Sequence, residues 1–460
     1  MVSKNEQSSE HNIEIFLTNL FDEWNRSGIQ YLILRNYEKL PAFVDNDIDI
    51  LLEPSQLKEA QVLLLNAGVT NGWRCHNVSD FACRAIWLFN IETMEQMHID
   101  LMCGVKWHAL QFANCQHMLK RRQSYKNFFI PNSVDEAVVS LMTRLIYAGY
   151  VKENYRDRIQ ESAIQESRDM VDIFVPLIGK ELAEEIVIFA NNGEWEKIEE
   201  KVKIVRKQIF FTNMRNPFNF FNALIRDVIR LFRRWIFSPG LSIVFFGPDG
   251  CGKTSVAHEL KFHLEKTFLL GKGLHCHWKP IRQKNRPSVP NENPHELPPR
   301  SQLLSFIYFI YHYIPFIWGW WRTVKPILFK SGLVIIDRYY YDFFIDIRRY
   351  RLNLPKWIIK TGFVFVKKPD FAFCLDAAPE ILQSRKKEVT FDECTRQREE
   401  YRKLAEKLPN GYVIDASQPL EHVVADVQRI VLAYMVERTT KRFGDQTSGC
   451  NSNISNSQQH

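Results

Sequence analysis

The stretch FFGPDGCGKTS, residues 245–255, constrains this chain more than any other. Gly247, Gly252, Lys253 and Thr254 fit the spacing G-x-x-x-x-G-K-[ST] of a phosphate-gripping loop. The apolar run LSIVFF before it reads as a buried strand, and SVAHELKFHLEK after it has helical periodicity. That strand, loop, helix order is the context the motif needs. Glycines, here Gly247, Gly250 and Gly252, let the backbone curl so that N–H groups point at phosphate oxygens. The helix N-terminus adds partial positive charge. In such a loop Lys253 reaches the β- and γ-phosphates, and the Thr254 hydroxyl, with Ser255 behind it, serves Mg²⁺. ATP and Mg²⁺ are the cofactors this implies.

A chain of 460 residues is long enough for two or three domains. From about residue 240 apolar runs alternate with helical segments: LVIIDR (333–338), FAFCLD (371–376) and YVIDAS (412–417). This alternation predicts an α/β P-loop fold with a parallel sheet covered by helices, over 240–437. The first region, 1–132, is mixed. YLILRN, DIDILL, AIWLFN and QMHIDLM read as strands, and SQLKEAQVLLLNAG as a capped helix. Residues 133–200 read as a helical extension. The polar end, 438–460, reads as a disordered tail.

Between the two regions, residues 201–239 interleave nine Lys and Arg with many phenylalanines and a single acid, Asp227. Two readings stand: a linker helix packed between domains, or a basic aromatic helix resting on an anionic membrane. The net charge of +7 suits nucleotides or a lipid surface and gives no reason to expect nucleic acid. The run LLSFIYFIYHYIPFIWGWW (303–321) approaches transmembrane length, but carries His312 and Pro315 inside an apparent catalytic domain. It reads as a buried or dimer-forming helix. The polar start, MVSKNEQSSEHN, carries no secretory signal, and nine cysteines without a C-x-x-C pair suit a cytoplasmic protein, or one at the inner face of the membrane. HCH at 275–277 alternates across a strand, which separates Cys276 from both histidines and argues against a metal site.

Asp337 ends the second strand of the α/β region, where such loops place an acid near Mg²⁺, and Arg338 follows it. Motor ATPases often carry a water-activating Glu there, which Arg cannot replace. A guanine-reading N-K-x-D is absent from the sequence. An arginine beside the metal suits a second anion or a developing phosphoryl charge, as in a kinase. At this point GPDGCGKTS, DRYYYD and PDFAFCLDAAPEILQSRKKE, followed by YVIDASQPLEHVVADV, resemble thymidylate kinase over residues 241–437. The resemblance implies that Asp249 contacts a hydroxyl of the acceptor nucleotide and that Arg338 of the D-R-Y motif holds the acceptor phosphate. It also implies that Arg385 belongs to a lid over the transferring group. Two stretches depart from that family: YDFFIDIRRYRLNLP, with Asp346, Arg348 and Arg349, and HWKPIRQKNRP at 277–287. They leave open a sugar or glycan acceptor in place of thymidylate.

A second constellation lies at 34–54. Asp47 and Asp49 alternate on one strand, so both carboxylates share a face, and Asp100 comes from a later strand. This resembles nucleotidyltransferases, which hold Mg²⁺ and a nucleoside triphosphate with such a trio, although Asp45 and Asn46 stand where that family places small residues. Two solvated acids on a strand edge are the plain alternative. The two halves together resemble thymidylate kinase-like proteins with an added nucleotidyltransferase-type domain from bacterial surface-polysaccharide gene clusters. The leading expectation is a phosphotransferase taking a nucleotide and a phosphate- or hydroxyl-bearing acceptor, possible as a homodimer. The alternatives are a nucleotidyltransferase centred on the D-x-D strand and a non-catalytic nucleotide-binding module.

Overall fold

The computed structural model describes residues 2–443, except 46, 81–82, 91, 94, 108–109, 114, 216, 265–267, 269–273, 278, 281–297 and 387–388. Most of the stretch 277–287 and all of 444–460 lie outside the described residues. The chain forms two compact units. One comprises the residues up to Arg230 together with those from Tyr434, and the other runs from Leu231 to Ala433.

The first unit opens with helix α1 (Val2–Arg26) and strands β1 (Tyr31–Ile33) and β2 (Asp47–Leu52). Helix α2 (Leu57–Thr70) leads into β3 (Trp73–Asp80), β4 (Arg84–Asn90) and β5 (Gln96–Met102). The expected cap on α2 is replaced by a 3-10 turn, Pro54–Gln56, with no side-chain cap bond. These strands form one sheet in the order β1-β2-β5-β4-β3, in which only β2 and β5 run parallel. Strand β3, unforeseen in the sequence, alternates few apolar residues and pairs with β4 through a bulge at Cys75/Asn77. Phe16, Phe21, Trp24 and Trp73 are fully buried beneath the sheet. Each buried phenylalanine contributes roughly 1.5–3 kcal/mol.

Two short hairpins follow: β6 (Lys106–Trp107) with β7 (Leu110–Gln111), and, after α3 (Cys115–Lys120), β8 (Gln123–Tyr125) with β9 (Phe128–Ile130). Helices α4 (Ser133–Tyr147), α5 (Glu153–Gln165), α6 (Ser167–Ile178), α7 (Lys180–Asn191), α8 (Trp195–Glu200) and α9 (Val202–Met214) share one apolar core with Leu32, Leu34 and Leu51 of the sheet region. Asn132 caps α4 by accepting from the Asp135 N–H. Residues 201–239 are therefore not one linker helix. Val202, Val205 and Ile209 bury α9 in the first unit's core, and a separate helix α10 (Pro217–Ile236) follows.

The second unit centres on β10 (Leu241–Phe246), with α11 (Lys253–Leu264) and β11 (Leu274–His277) after it. Helix α12 (Gln302–Gly319), a π turn and α13 (Lys325–Phe329) lead to β12 (Leu333–Asp337). Then come α14 (Asp342–Ile345), α15 (Lys356–Phe365), β13 (Phe371–Asp376), α16 (Pro379–Arg385), α17 (Phe391–Lys407), β14 (Gly411–Asp415) and α18 (Leu420–Phe443). The five strands are all parallel, in the order β11-β12-β10-β13-β14, as near-continuous apolar runs predict. The run Gln302–Phe329 is long and apolar enough to cross a membrane by length and composition alone. Its expected burial holds for one face only: Phe309, His312 and Phe316 are buried, while Leu303, Ile307, Tyr311 and Trp318 are exposed. Residues 438–443, expected as tail, instead continue α18 to Phe443, with Thr439 buried and its hydroxyl donating to the His76 carbonyl at 2.9 Å.

Candidate active site

Every strand of a parallel sheet points its C-terminal end the same way, so the loops after β10, β12 and β13 meet at one edge. The loop after β10 carries Gly247, Gly250 and Gly252 at positive φ. Gly247 has φ +140°, and a Cβ there would lie 2.6 Å from the Leu375 carbonyl oxygen; Gly250 has φ +86° and would place a Cβ 2.6 Å from the Leu382 oxygen. Only glycine allows the loop to pass this close to its neighbours.

Lys253 opens α11 and is 6% exposed. Its Nζ donates to the carbonyls of Gly247 (3.0 Å) and Pro248 (2.8 Å) and lies 3.9 Å from Asp249 Oδ1. Burial favours the neutral amine, but Cys251, Asp249 and Asp337 outweigh it and hold the pKa above its ordinary value. Lys253 is thus a buried cation curled into its own loop. Thr254 Oγ1 donates to Asp337 Oδ2, while Asp337 Oδ1 is buried and accepts no hydrogen bond. Burial alone would raise the Asp337 pKa, yet His277, Thr254 and Lys253 bring it below the usual carboxylate range. A hydroxyl beside an ionised carboxylate with an unused oxygen is a donor set that fits Mg²⁺. Ser255 is exposed on the next position of the helix.

Asp249 is gripped from two sides. Arg338 Nη2 donates to Oδ1, and Arg349 Nη1 donates to Oδ2. Arg338 sits at φ +72°, a conformation that a non-glycine residue adopts at a cost, and its Nε is buried without a hydrogen-bond partner. Gly247, Asp346, Gln397 and Tyr401 line the same crevice. Asp342 is buried there and accepts from the Tyr401 hydroxyl at 2.7 Å; burial holds its pKa above the ordinary value. Arg385, the expected lid residue, is not brought into this group. It is exposed at the end of α16 and donates to the Ala416 carbonyl at 2.9 Å.

Several site residues were not legible as such. His277 Nδ1 lies 3.4 Å from Asp337 Oδ2, because β11 pairs in register with β12 and sets His277 beside Asp337. The strand alternation that argued against a metal at HCH could have placed His277 on the loop edge, had the strand order been known. Gln397 and Tyr401 stand one helical turn apart on α17, a spacing that any amphipathic helix shows. Arg398, also on α17, makes a two-pronged pair with Asp376 at the end of β13, at 2.7 and 3.0 Å.

In the first unit, β2 and β5 align Asp49 with Asp100 and Asp47 with His98. One carboxylate oxygen from each of Asp47, Asp49 and Asp100 lies within 4.8 Å of the others. Arg35 Nε donates to Asp49 Oδ2 at 2.5 Å, and His98 Nε2 lies 2.8 Å from Asp100 Oδ1, its ring stacked on Trp87 at 4.4 Å. Burial pushes the Asp49 carboxyl up to about 6, against the pull of Arg35 and with help from Asp47 and Asp100. The trio thus converges, with a guanidinium already on its most buried member.

No family model matches the chain. It is 29% identical over 209 residues to a probable thymidylate kinase of Staphylothermus marinus, covering 43% of this chain and 97% of that protein. It is 28% identical over 220 residues to probable thymidylate kinase 2 of Saccharolobus solfataricus, again covering 43% of this chain and 97% of the relative. The crystal structure of thymidylate kinase from Ehrlichia chaffeensis aligns with 42% of this chain and 98% of its own, at 20% identity and a TM-score of 0.31. On the two sequence relatives, a thymidylate kinase-like domain makes up about 43% of this chain.

Proposed function

We propose that the second unit transfers a phosphoryl group from Mg-ATP to a nucleoside monophosphate. The observation that carries this reading is the Asp249 carboxylate held between Arg338 and Arg349, 3.9 Å from Lys253 Nζ of the same loop. Both guanidiniums suit an acceptor phosphate, with Asp342 and Asp346 lining the same crevice. Lys253 holds the donor's β- and γ-phosphates, aided by the backbone N–H groups at the start of α11. Mg²⁺, held by Thr254 and Asp337, neutralises charge on the donor oxygens when bound. Arg338 and Arg349 orient the acceptor phosphate, Asp249 accepts from an acceptor hydroxyl, and Arg385 would have to leave the Ala416 carbonyl to close over the transferring group. Catalysis on this scheme is positioning and charge stabilisation, with no covalent step on the protein.

ADP release from Mg-ATP across thymidylate, other nucleoside monophosphates, and free and phosphorylated sugars tests the reading, with Lys253→Ala as control. Stimulation by a nucleoside monophosphate supports it. Stimulation by an unphosphorylated sugar alone would replace it with glycan chemistry.

We propose a second, separate role for the first unit, favoured by the convergence of Asp47, Asp49 and Asp100: binding a divalent cation with a nucleoside triphosphate, in the manner of a nucleotidyltransferase. Arg35 binds Asp49 Oδ2, and the carboxylate has a second oxygen to offer a cation. Calorimetric titration of Mn²⁺ into wild type and Asp49→Asn checks this; equal binding by both would remove the trio as the site.

A further inference from the structure

An amphipathic helix on a globular protein turns its apolar side to the core and its charged side to water. Helix α10 does the reverse. Phe218, Phe221, Ile225, Val228 and Phe232 recur at spacings of three and four, so they fall on one side of the helix, and each is 51% to 75% exposed. Arg230 and Arg234 occupy the opposite side, and Arg226 and Arg233 the exposed flank between. Of these, Arg234 is 7% exposed: its Nε donates to the Phe329 carbonyl at 2.6 Å and its Nη2 to Ser331 Oγ at 2.7 Å. The polar side is thus anchored to protein at the helix end and the apolar side faces solvent. At 20 residues the helix offers an apolar strip about 30 Å long.

The charge pattern decides what covers this strip. Residues 201–237 hold nine Lys and Arg against one acid, and that acid, Asp227, pairs with Arg230 at 3.3 Å. A second copy docked strip to strip would cover the phenylalanines but offer Arg226 and Arg233 no unpaired carboxylate of α10. An anionic lipid surface supplies both what the strip lacks and what the arginines seek: a hydrocarbon layer flanked by phosphates. We propose that α10 lies in the plane of an anionic phospholipid bilayer. Its phenylalanine side sinks below the headgroups, and Arg226 and Arg233 bind headgroup phosphates from the exposed flank. This role is independent of which acceptor the kinase-like unit takes.

The test is co-sedimentation of the full chain with vesicles of phosphatidylcholine alone or with one third phosphatidylglycerol. Wild type is expected to bind the anionic vesicles and to bind them more weakly as salt rises. Phe221→Asp with Phe232→Asp is expected to weaken binding by more than about tenfold. Arg226→Glu with Arg233→Glu changes only exposed side chains, guards against misfolding of the first variant, and is expected to cost at least about fivefold per arginine. Absence of binding to anionic vesicles, or binding by both variants as tight as wild type, overturns the proposal. So does a wild-type dimer that the phenylalanine variant converts to monomer in sedimentation velocity, since the strip would then be an interface between copies.

Discussion

Asp249 and Arg349, one hundred residues apart in sequence, share an ion pair in which the guanidinium Nη1 binds carboxylate Oδ2. Arg338 holds the other oxygen of the same carboxylate. The arrangement joins the glycine loop after β10 to the segment after β12 and sets two guanidiniums in a crevice that Asp342 and Asp346 also line.

Arg349→Ala is therefore expected to act on the acceptor more than on the donor. Losing one charged hydrogen bond costs about 1.5–3 kcal/mol, so the acceptor KM should rise roughly tenfold or more with the ATP KM nearly unchanged. Steady-state kinetics with each substrate varied in turn check this. A parallel rise in both KM values would mean that Arg349 only braces the loop through Asp249.

Lys253→Ala should abolish phosphoryl transfer, by about a hundredfold or more, since it removes the one cation on the donor phosphates from within the loop. It also frees the carbonyls of Gly247 and Pro248. ADP release and the rise in Tm on adding Mg-ATP measure the two effects. A retained Tm rise with lost turnover would place Lys253 in the chemical step rather than in binding.

Gly250→Ala and Gly28→Ala separate backbone strain from steric conflict. Both glycines have positive φ, +86° and +70°, but a Cβ at Gly28 meets nothing within 4 Å, whereas one at Gly250 lies 2.6 Å from the Leu382 oxygen. Gly28→Ala is expected to cost about 1 kcal/mol and Gly250→Ala clearly more, with loss of ATP binding. Urea midpoints compare the two directly.

His76 makes the first unit sensitive to acid. It is fully buried, both ring nitrogens lack hydrogen-bond partners, and burial, with some help from Arg438, lowers its pKa from 6.5 to about 3. The unfolded chain takes up a proton below pH 6.5 that the folded chain refuses until about pH 3. Stability contributed by neutral His76 is thus complete above pH 6.5 and drains away as pH falls toward 3. At pH 5 this amounts to about 2 kcal/mol relative to pH 7. Urea unfolding at the two values is expected to show that loss in wild type and a smaller one in His76→Leu.

Much of the second unit was legible because its information is local. The loop glycines, Lys253, Thr254 and the apolar strands LSIVFF and FAFCLD announce themselves through short-range spacing, and buried parallel strands leave little ambiguity of pattern. Strand β3 was missed because a half-polar strand with a bulge has no clean period. The single linker helix is two helices, the second starting at Pro217, and the burial of Val205 and Ile209 on the first depends on partners far away in sequence.

By itself the sequence determined the glycine spacing of the loop at 247–252, the strand that ends at Asp337 and the alternation of Asp47 and Asp49, since each rests on residues a few positions apart. Only the tertiary structure decided that Arg349 and Gln397 join the loop's crevice, that His277 stands beside Asp337, and that Arg385 does not reach the group. Those relationships depend on strand order and helix rotation, which follow from packing over the whole sheet rather than from any local run. The outward strip of α10 belongs to the same class: the interleaved arginines and phenylalanines pointed to a basic aromatic helix, and only the anchored Arg234 showed which side faces out.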